Sequence, residues 1–352
     1  MKREPFDWSQ QRVFVTGASG FVGSWLVKAL LERQADVTVL IRDMDDHSEL
    51  VRSGAIHRVS IVNGCLEDFA CLERAINEHE TSVVFHLAAQ ALVGAALRSP
   101  LATFESNIRG TYNLLEACRV QSALVKRVIV ASSDKAYGEA QTLPYVETHP
   151  LCGRHPYDVS KSCTDLLAAT YYATYCLPVA IARCGNVYGG GDLNWSRIVP
   201  GTIRSLLRRE RPVLRSDGSF VRDYIYVEDA VHAYLALAEG VSEANAQGEA
   251  FNFSNESPVT VRQLVESIAE LMEATDLPPV VLGTAAQEIP SQSLSAEKAR
   301  RILGWRAEHA LHNGLQKTID WYARHLATDS PGLNRGNGEE PNRSKQRQQR
   351  AA

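Results

Sequence analysis

Between Arg12 and about Ala182 the chain alternates short β-branched runs with longer helical patterns: "RVFVTG", "DVTVLI", "RVSIVNG", "SVVFHLA", "VKRVIVASS" and "PVAIARCG". This rhythm is the strongest constraint on the fold. Strands separated by helix-length segments are joined by right-handed crossovers, which set the strands parallel and clothe the sheet with helices on both faces. The expected fold class is α/β, a doubly wound parallel sheet. With 352 residues, 45% of them hydrophobic, the chain can bury such a sheet and a second lobe as well.

The first run leads into "VFVTGASGFVGSWLVKALLE". Gly17, Gly20 and Gly23 lie between a strand and an amphipathic helix. Glycines there permit a tight turn and close backbone approach, while the helix N-terminus offers free N–H groups and a positive dipole end to a pyrophosphate. A glycine triplet alone is weak, but with a strand before it and a helix after it the motif points to a dinucleotide. Ser19, Phe21 and Val22 complete the turn as candidate cofactor contacts. Leu87, Ala88 and Ala89, in "FHLAAQ" after the fourth strand, are small enough, at the two alanines, to let the backbone pass beneath a cofactor.

"HPYDVSKSCTDLL" places Tyr157 and Lys161 four residues apart in a helical pattern, hence on one helix face. An unperturbed phenol titrates near ~10 and is a poor base at neutral pH. A nearby ammonium favours the phenolate, which makes Tyr157 a candidate base and Lys161 the group that tunes it.

The G-x-x-G-x-x-G spacing resembles the short-chain dehydrogenase/reductases, which carry a Rossmann-like fold. "GASGFVG", "HLAAQALV", "SSDKAYG", "PYDVSKSC", "RCGNVYGGGD" and "VRDYIYVEDA" together look like the extended members that act on nucleotide sugars, over residues 12 to 325. This resemblance implies that Tyr157 takes a proton from a sugar hydroxyl as hydride leaves the same carbon for a nicotinamide, and that Lys161 also holds the nicotinamide ribose. The acidic position of that family at the end of the second strand falls on Ile41, which cannot bond a ribose hydroxyl. Asp43 could bond the 2′-hydroxyl of NAD, or Arg42 could pair the 2′-phosphate of NADP. Cys65 and Leu66 sit where the family carries an Asp and an apolar residue beside adenine; the cysteine is a departure.

Within the family, "SDK" followed by "GNVYGGGD" resembles the CDP-glucose 4,6-dehydratase branch. The resemblance implies oxidation at sugar C4, loss of water across C5 and C6, and return of hydride to C6. Ser133 would then bond the 4-oxygen. Asp134 and Lys135 would supply the acid and base that dehydration needs and epimerisation does not. A neutral Lys135 requires a fall from ~10.4 to near ~7, a differential of about 5 kcal/mol. Burial and the Lys161 cation favour that fall, while a close Asp134 carboxylate opposes it. Both assignments therefore stay open on chemistry, and family resemblance favours Lys135 as base and Asp134 as acid. The alternatives are a nucleotide-sugar 4-epimerase or reductase, which the Asp134 and Lys135 pair disfavours, and a non-catalytic nicotinamide-binding sensor, which the set Ser133, Tyr157 and Lys161 disfavours.

Residues 1–185, with returning segments, are expected to form the NAD(P)-binding domain, and residues 186–329 mainly a substrate-binding lobe. There Asn186 could donate to a phosphate, Arg197 and Val199 begin a helix over the nucleotide, and Arg222 matches the family arginine for the pyrophosphate. Each has a plain alternative as a turn residue, a surface charge or an ion-pair partner, and none reads the base. "TFESNIRGTYNLLEACRV" reads as a long helix which, with the Tyr157 helix, packs a homodimer in the resembling enzymes.

The tail from 330 to 352 has almost no apolar residues and reads as disordered. Lys and Arg (37) nearly balance Asp and Glu (41), which lacks the basic excess of a nucleic-acid binder. Seven scattered cysteines without paired ligand spacing suggest free thiols in a reducing cytoplasm, with no metal. No apolar run approaches the length of a membrane span, and the N-terminus has no apolar core of a signal peptide.

Overall fold

A computed structural model describes residues 6–241, 246–284 and 288–328. Seven parallel strands form the central sheet: β1 (Arg12–Thr16), β2 (Asp36–Ile41), β3 (Ser60–Asn63), β4 (Val83–His86), β5 (Arg127–Ser133), β6 (Val179–Cys184) and β7 (Ala250–Phe253). Their spatial order is β7-β6-β5-β4-β1-β2-β3, and every pairing is parallel. All six runs read from the sequence are strands of this sheet. β7, in "AFNF", is an addition that the sequence reading did not assign.

The principal helices are α1 (Phe21–Glu32), α2 (Gly110–Val120), α3 (Pro156–Tyr175), α4 (Ile198–Leu207), α5 (Val227–Gly240), α6 (Val261–Leu271) and α7 (Leu311–Thr328). Alternate strand residues point to opposite faces. Val13, Val15, Val39, Phe85, Ile129 and Phe251 join the cluster beneath α1 and α5. Phe14, Leu40, Val84, Val130 and Ile181 join the other, beneath α2, α3 and the helix Phe69–Glu78. Because both faces are covered, β6 is buried at every position, which explains why these strands read as continuous apolar runs.

Residues beyond 186 divide between two cores. α5 and β7 return to the sheet. α4, α6 and α7 instead build a third cluster around Val199, Ile203, Tyr224, Leu264, Leu315 and Tyr322. The run "TFESNIRGTYNLLEACRV" is helical throughout but passes through one π-helical turn, Glu105–Arg109, before α2. The tail from 330 onward lies outside the described residues.

The order of strands reverses between β1 and β4: from β1 the chain builds outward to β3, then returns to β4 on the other side. Crevices at such reversals, beyond the carboxyl ends of the strands, are where α/β sheets bind ligands. The turns after β1, β4, β5 and β6 all open there.

Candidate active site

The loop after β1 is built for close backbone approach. Gly17 adopts φ +77°, and a Cβ on it would stand 2.6 Å from the amide nitrogen of Ala88. A Cβ on Gly23 would meet Gly17 O at 2.0 Å, so helix and loop touch backbone to backbone. Gly20 differs: its Cβ would meet only Gly17 O, at 3.1 Å, and it caps α1 without a side-chain hydrogen bond. The first N–H groups of α1 therefore face open space beside half-buried Ser19, Phe21 and Val22. This cradle fits a pyrophosphate.

At the end of β2, Ile41 is buried, while Arg42 Nε and Asp43 Oδ2 form an exposed ion pair at 2.7 Å. Leu66 is buried and its carbonyl accepts from Asn113 Nδ2 at 3.0 Å; Cys65 is half-buried. After β4, Leu87 N and Ala88 N donate to Thr16 O and Oγ1 (3.2 and 3.3 Å), which pins this stretch against β1; Leu87, Ala88 and Ala89 are partly buried.

β5 ends at Ser133 and turns into a 3-10 helix, Asp134–Tyr137. Ser133 Oγ accepts from Lys135 N (3.2 Å) and donates to Asp134 Oδ1 (2.9 Å). Asp134 is buried, with Oδ2 lacking a hydrogen-bond partner among the described residues. Lys135 turns away from Asp134: its Nζ donates to Gln292 Oε1 at 2.8 Å, and no Asp134–Lys135 ion pair forms among the described residues. The close carboxylate that would oppose a neutral lysine is thus directed elsewhere.

Pro156 opens α3 at a position where a missing N–H costs nothing. One turn later Lys161, buried, donates from Nζ to Ala131 O on β5 at 2.8 Å. Burial pushes its ammonium down to about 8, against the pull of Asp165 and Cys184. Burial and the Asp134 charge push Tyr157 up to about 12, opposed by Arg197 and by hydrogen bonding with Ser133. Burial first, and the Asp134 charge after it, thus keep the phenol protonated, contrary to the lowering expected from Lys161. The neighbouring ammonium is spent on a carbonyl, and the cationic help falls to Arg197 and to whatever positive charge binds beside the ring. His86, buried between Thr16 Oγ1 (2.9 Å) and Thr111 Oγ1 (3.0 Å), is driven down to about 3 by burial and then by Lys161. It stays neutral.

Ser133, Asp134, Lys135, Tyr157, Asn186, Arg197, Val199 and Arg222 line one cleft of about 1040 Å³, together with Phe21 and Val22 from the glycine loop. Asn186 Nδ2 reaches Asp223 O at 3.5 Å. Arg197, at the N-cap of α4, pairs with Asp192 Oδ2 at 3.0 Å and stays partly exposed, whereas Val199 is buried. Arg222 is buried and held from within the chain: Nη1 donates to Val221 O and Pro290 O, and Nη2 pairs with Glu288 at 3.2 Å. Its partner is therefore Glu288 and not the adjacent Asp223.

The loop bearing Asp192 is clamped from both ends of the chain. Trp25 Nε1 donates to Gly190 O (2.8 Å), Tyr322 OH donates to Asp192 O (2.5 Å), and the Trp321 ring leaves no room for a Cβ on Gly190, which would fall 2.2 Å from it. Behind the Asp134 turn, Arg183 on β6 pairs with Asp165 on α3 at 2.7 Å, both buried, and donates to Tyr137 OH, which donates to Asn252 Oδ1 on β7, each at 2.7 Å.

Gln292, Glu288 and Arg183 escaped the sequence reading. No motif surrounds Gln292 or Glu288, whose partners lie far away in the chain, and Arg183, although inside "RCGNVYGGGD", was read only as part of a strand. Among the described residues no His, Cys, Asp and Glu cluster is placed to hold a metal ion, and no helix is long and apolar enough to cross a membrane.

Residues 13–253 match the family model described as the NAD dependent epimerase/dehydratase family. The chain is 31% identical over 332 residues to a CDP-glucose 4,6-dehydratase of Salmonella typhimurium, covering 90% of this chain and 91% of the relative. A dTDP-glucose 4,6-dehydratase of Streptomyces venezuelae, solved with NAD bound, superposes with a TM-score of 0.82 at 27% identity, covering 90% of this chain and 98% of that one. A UDP-glucose 4-epimerase of Thermotoga maritima, solved with UDP-glucose, superposes with a TM-score of 0.81 at 30% identity, covering 89% and 99%. Cradle, parallel sheet and family match agree: the chain belongs to the NAD dependent epimerase/dehydratase family.

Proposed function

We propose that this protein is a nucleotide-hexose 4,6-dehydratase, with CDP-glucose as the first substrate to test. The observation that carries this reading is the turn after β5, which sets a buried carboxylate and a lysine in the cleft beside Tyr157. Epimerisation at C4 calls for neither.

Gly17, Ser19, Gly20, Phe21, Val22 and Gly23, with Asp43 at the ribose, would hold NAD, which when bound would supply the acceptor for hydride from C4 and its donor to C6. Leu66, Cys65, Leu87, Ala88 and Ala89 border its path, and Arg42, paired with Asp43, leaves NADP as the outcome to exclude by direct binding. Ser133 orients the 4-oxygen between itself and Tyr157, whose phenolate, favoured by Arg197 and by the positive charge of a bound nicotinamide, takes the 4-hydroxyl proton. Lys161, anchored on Ala131 O, fixes the helix face that carries Tyr157. The 4-ketone acidifies the C5 proton, which Lys135 removes. Asp134 delivers a proton from Oδ2 to the departing 6-hydroxyl, so water leaves and a C5–C6 double bond forms. Hydride return to C6 and reprotonation at C5 complete a reaction with no net redox change. Asn186, Arg197 and Arg222 hold the diphosphate, with Val199 packing beneath.

α2 and α3 pack together and leave Tyr112, Val120, Leu166 and Tyr175 exposed, which supports a homodimer through these helices. Light scattering should give twice the 38.8 kDa chain mass, and Leu166→Glu should return it to one chain. All seven cysteines are free, in keeping with a reducing cytoplasm; a disulfide in protein isolated under oxidant-free quenching would count against that location.

The deciding experiment incubates the protein with NAD and CDP-, dTDP-, UDP- or GDP-hexose in heavy water. A 4-keto-6-deoxy product deuterated at C5 supports the dehydratase. Inversion at C4 without loss of water would establish the epimerase, and binding without turnover a sensor.

A further inference from the structure

Gln292 lies 157 residues from Lys135 in the chain, yet its Oε1 accepts from Lys135 Nζ at 2.8 Å. Its side chain is completely buried, and its backbone is held on both sides. Gln292 N donates to Val221 O (3.1 Å), Tyr145 N donates to Ser293 O (2.8 Å), Leu294 N donates to Asp223 Oδ2 (3.2 Å), and Ser295 N donates to Tyr145 O (2.9 Å). The same strap carries Glu288 and Pro290 O to Arg222. The amide at 292 is therefore a fixed point, whereas Lys135 hangs on four rotatable carbons from a short turn. A fixed partner removes the freedom that would otherwise scatter the amine.

The other end of the amide supplies the second observation. Gln292 Nε2 is buried and completes no well-aligned hydrogen bond. It lies beside Tyr145, whose hydroxyl donates to Gly138 O at 2.5 Å and whose phenolate form the Gln292 amide favours as a donor. An ammonium needs an acceptor, and a free amine can use a donor. An amide holds both, and turning it over would exchange the acceptor at Lys135 for a donor, giving up only the poorly aligned approach to Tyr145. A carboxylate at this position would instead favour only the charged lysine.

We propose that Gln292 is the positioning residue for Lys135, a neutral partner that holds the side chain in place in both its protonation states. The functional part of this inference rests on the role given to Lys135 above. The titratable groups gathered around the turn are Asp134 on the turn itself, Asp158 and Tyr157 on α3, Tyr145, and Asp223. Each of the last four feels Asp134, and Asp158 also feels Lys135.

The test compares full-length wild type with Gln292→Leu, close in size but without hydrogen bonds, and Gln292→Glu. First, nitrogen-labelled lysine is titrated by NMR without substrate, and the Lys135 signal is identified by its loss in Lys135→Arg. The expected result is a midpoint for Lys135 higher by about one pH unit or more in Gln292→Glu. An unmoved midpoint would overturn the contact whatever reaction the protein performs. Second, with active substrate, Gln292→Leu should lower kcat by on the order of tenfold to a hundredfold with KM nearly unchanged, and Gln292→Glu should regain rate as pH rises. A uniform loss at every pH in both variants would mean a packing role and reject the positioning role. If wild type yields no 4-keto-6-deoxy product, the dehydratase reading fails, while the NMR result still decides the contact between Gln292 and Lys135.

Discussion

Ser133 Oγ lies 2.9 Å from Asp134 Oδ1, to which it can donate, and turned toward Tyr157 the same hydroxyl lowers the phenol, so its single proton serves one of the two at a time. One serine therefore touches the two groups proposed to handle protons at opposite stages of the reaction. Their negative forms repel each other: Asp134, while ionised, raises Tyr157, and it must take up a proton before it can serve as the acid.

Asp134→Asn should accordingly act at two stages. Product formation should fall by ~10²- to 10⁴-fold, the usual worth of a general acid, with reduced nicotinamide accumulating because C4 oxidation survives and dehydration does not. Removing the negative neighbour lowers the phenol, so the rising limb of C4 oxidation should move to lower pH. Rapid-mixing absorbance of the nicotinamide across pH reads both. Wild-type turnover, or an unshifted limb, would contradict the assignment.

The glycines of the cradle should separate folding from binding. Gly17→Ala forces a side chain into φ +77° against Ala88 N at 2.6 Å and should lower stability together with NAD affinity. Gly20→Ala meets only Gly17 O at 3.1 Å. It should leave the melting temperature within a few degrees while weakening NAD about tenfold or more, since its methyl intrudes where the pyrophosphate would lie. Calorimetric titration and thermal melts on both variants check this; equal NAD affinity in Gly20→Ala would remove the cradle from the site.

Arg183→Met leaves Asp165 buried without its cation and takes a donor from Tyr137. Breaking a buried pair by one partner costs about 3–5 kcal/mol, so denaturant midpoints should fall accordingly. Pairing Arg183→Met with Asp165→Asn should recover part of the loss. A midpoint unchanged in the single variant would show that the pair is not formed in solution.

His86 sets a pH dependence with a definite sign. Its folded value, about 3, lies below the ordinary 6.5. Between those values the unfolded chain binds the extra proton, so stability from this group is present above pH 6.5 and is lost as pH falls toward 3. The loss is about 1.4 kcal/mol per unit, or roughly 2 kcal/mol between pH 6.5 and 5. Asp223, raised to about 6 by burial, works oppositely: its share of stability is lost as pH rises from 3.8 to 6. Comparing urea midpoints of wild type and His86→Gln cancels Asp223 and isolates the imidazole. Parallel pH profiles for the two proteins would refute the prediction.

The first six strands were legible because both sheet faces are covered, which writes β-branched residues at successive positions. β7 was not, since it is only four residues long and carries Asn252 in its interior. That asparagine is satisfied by Tyr137 OH, Glu147 and Tyr145 O, contacts spanning more than 100 residues that no local window contains. The same limit applied to the site. Contiguous motifs revealed the turn, the Tyr157 helix and the glycine loop. The partners of Lys135 and Arg222, Gln292 and Glu288, depend on where a distant strap passes. The Lys161 contact was equally hidden, because its partner is a backbone carbonyl, a group every residue possesses.

The clamp of Trp321 and Tyr322 on the loop from Gly190 to Asp192 has a consequence for biosynthesis. During translation, residues 12–184 can leave the ribosome and assemble six strands while α7 has yet to be made. Trp25 can hold Gly190 early, but Asp192, which orients Arg197, gains its Tyr322 fastening only when the chain has grown past residue 322. A newborn molecule therefore completes most of its sheet early and the Arg197 side of its cleft last, so ribosome-bound chains halted before Trp321 should retain the sheet while lacking a finished cleft.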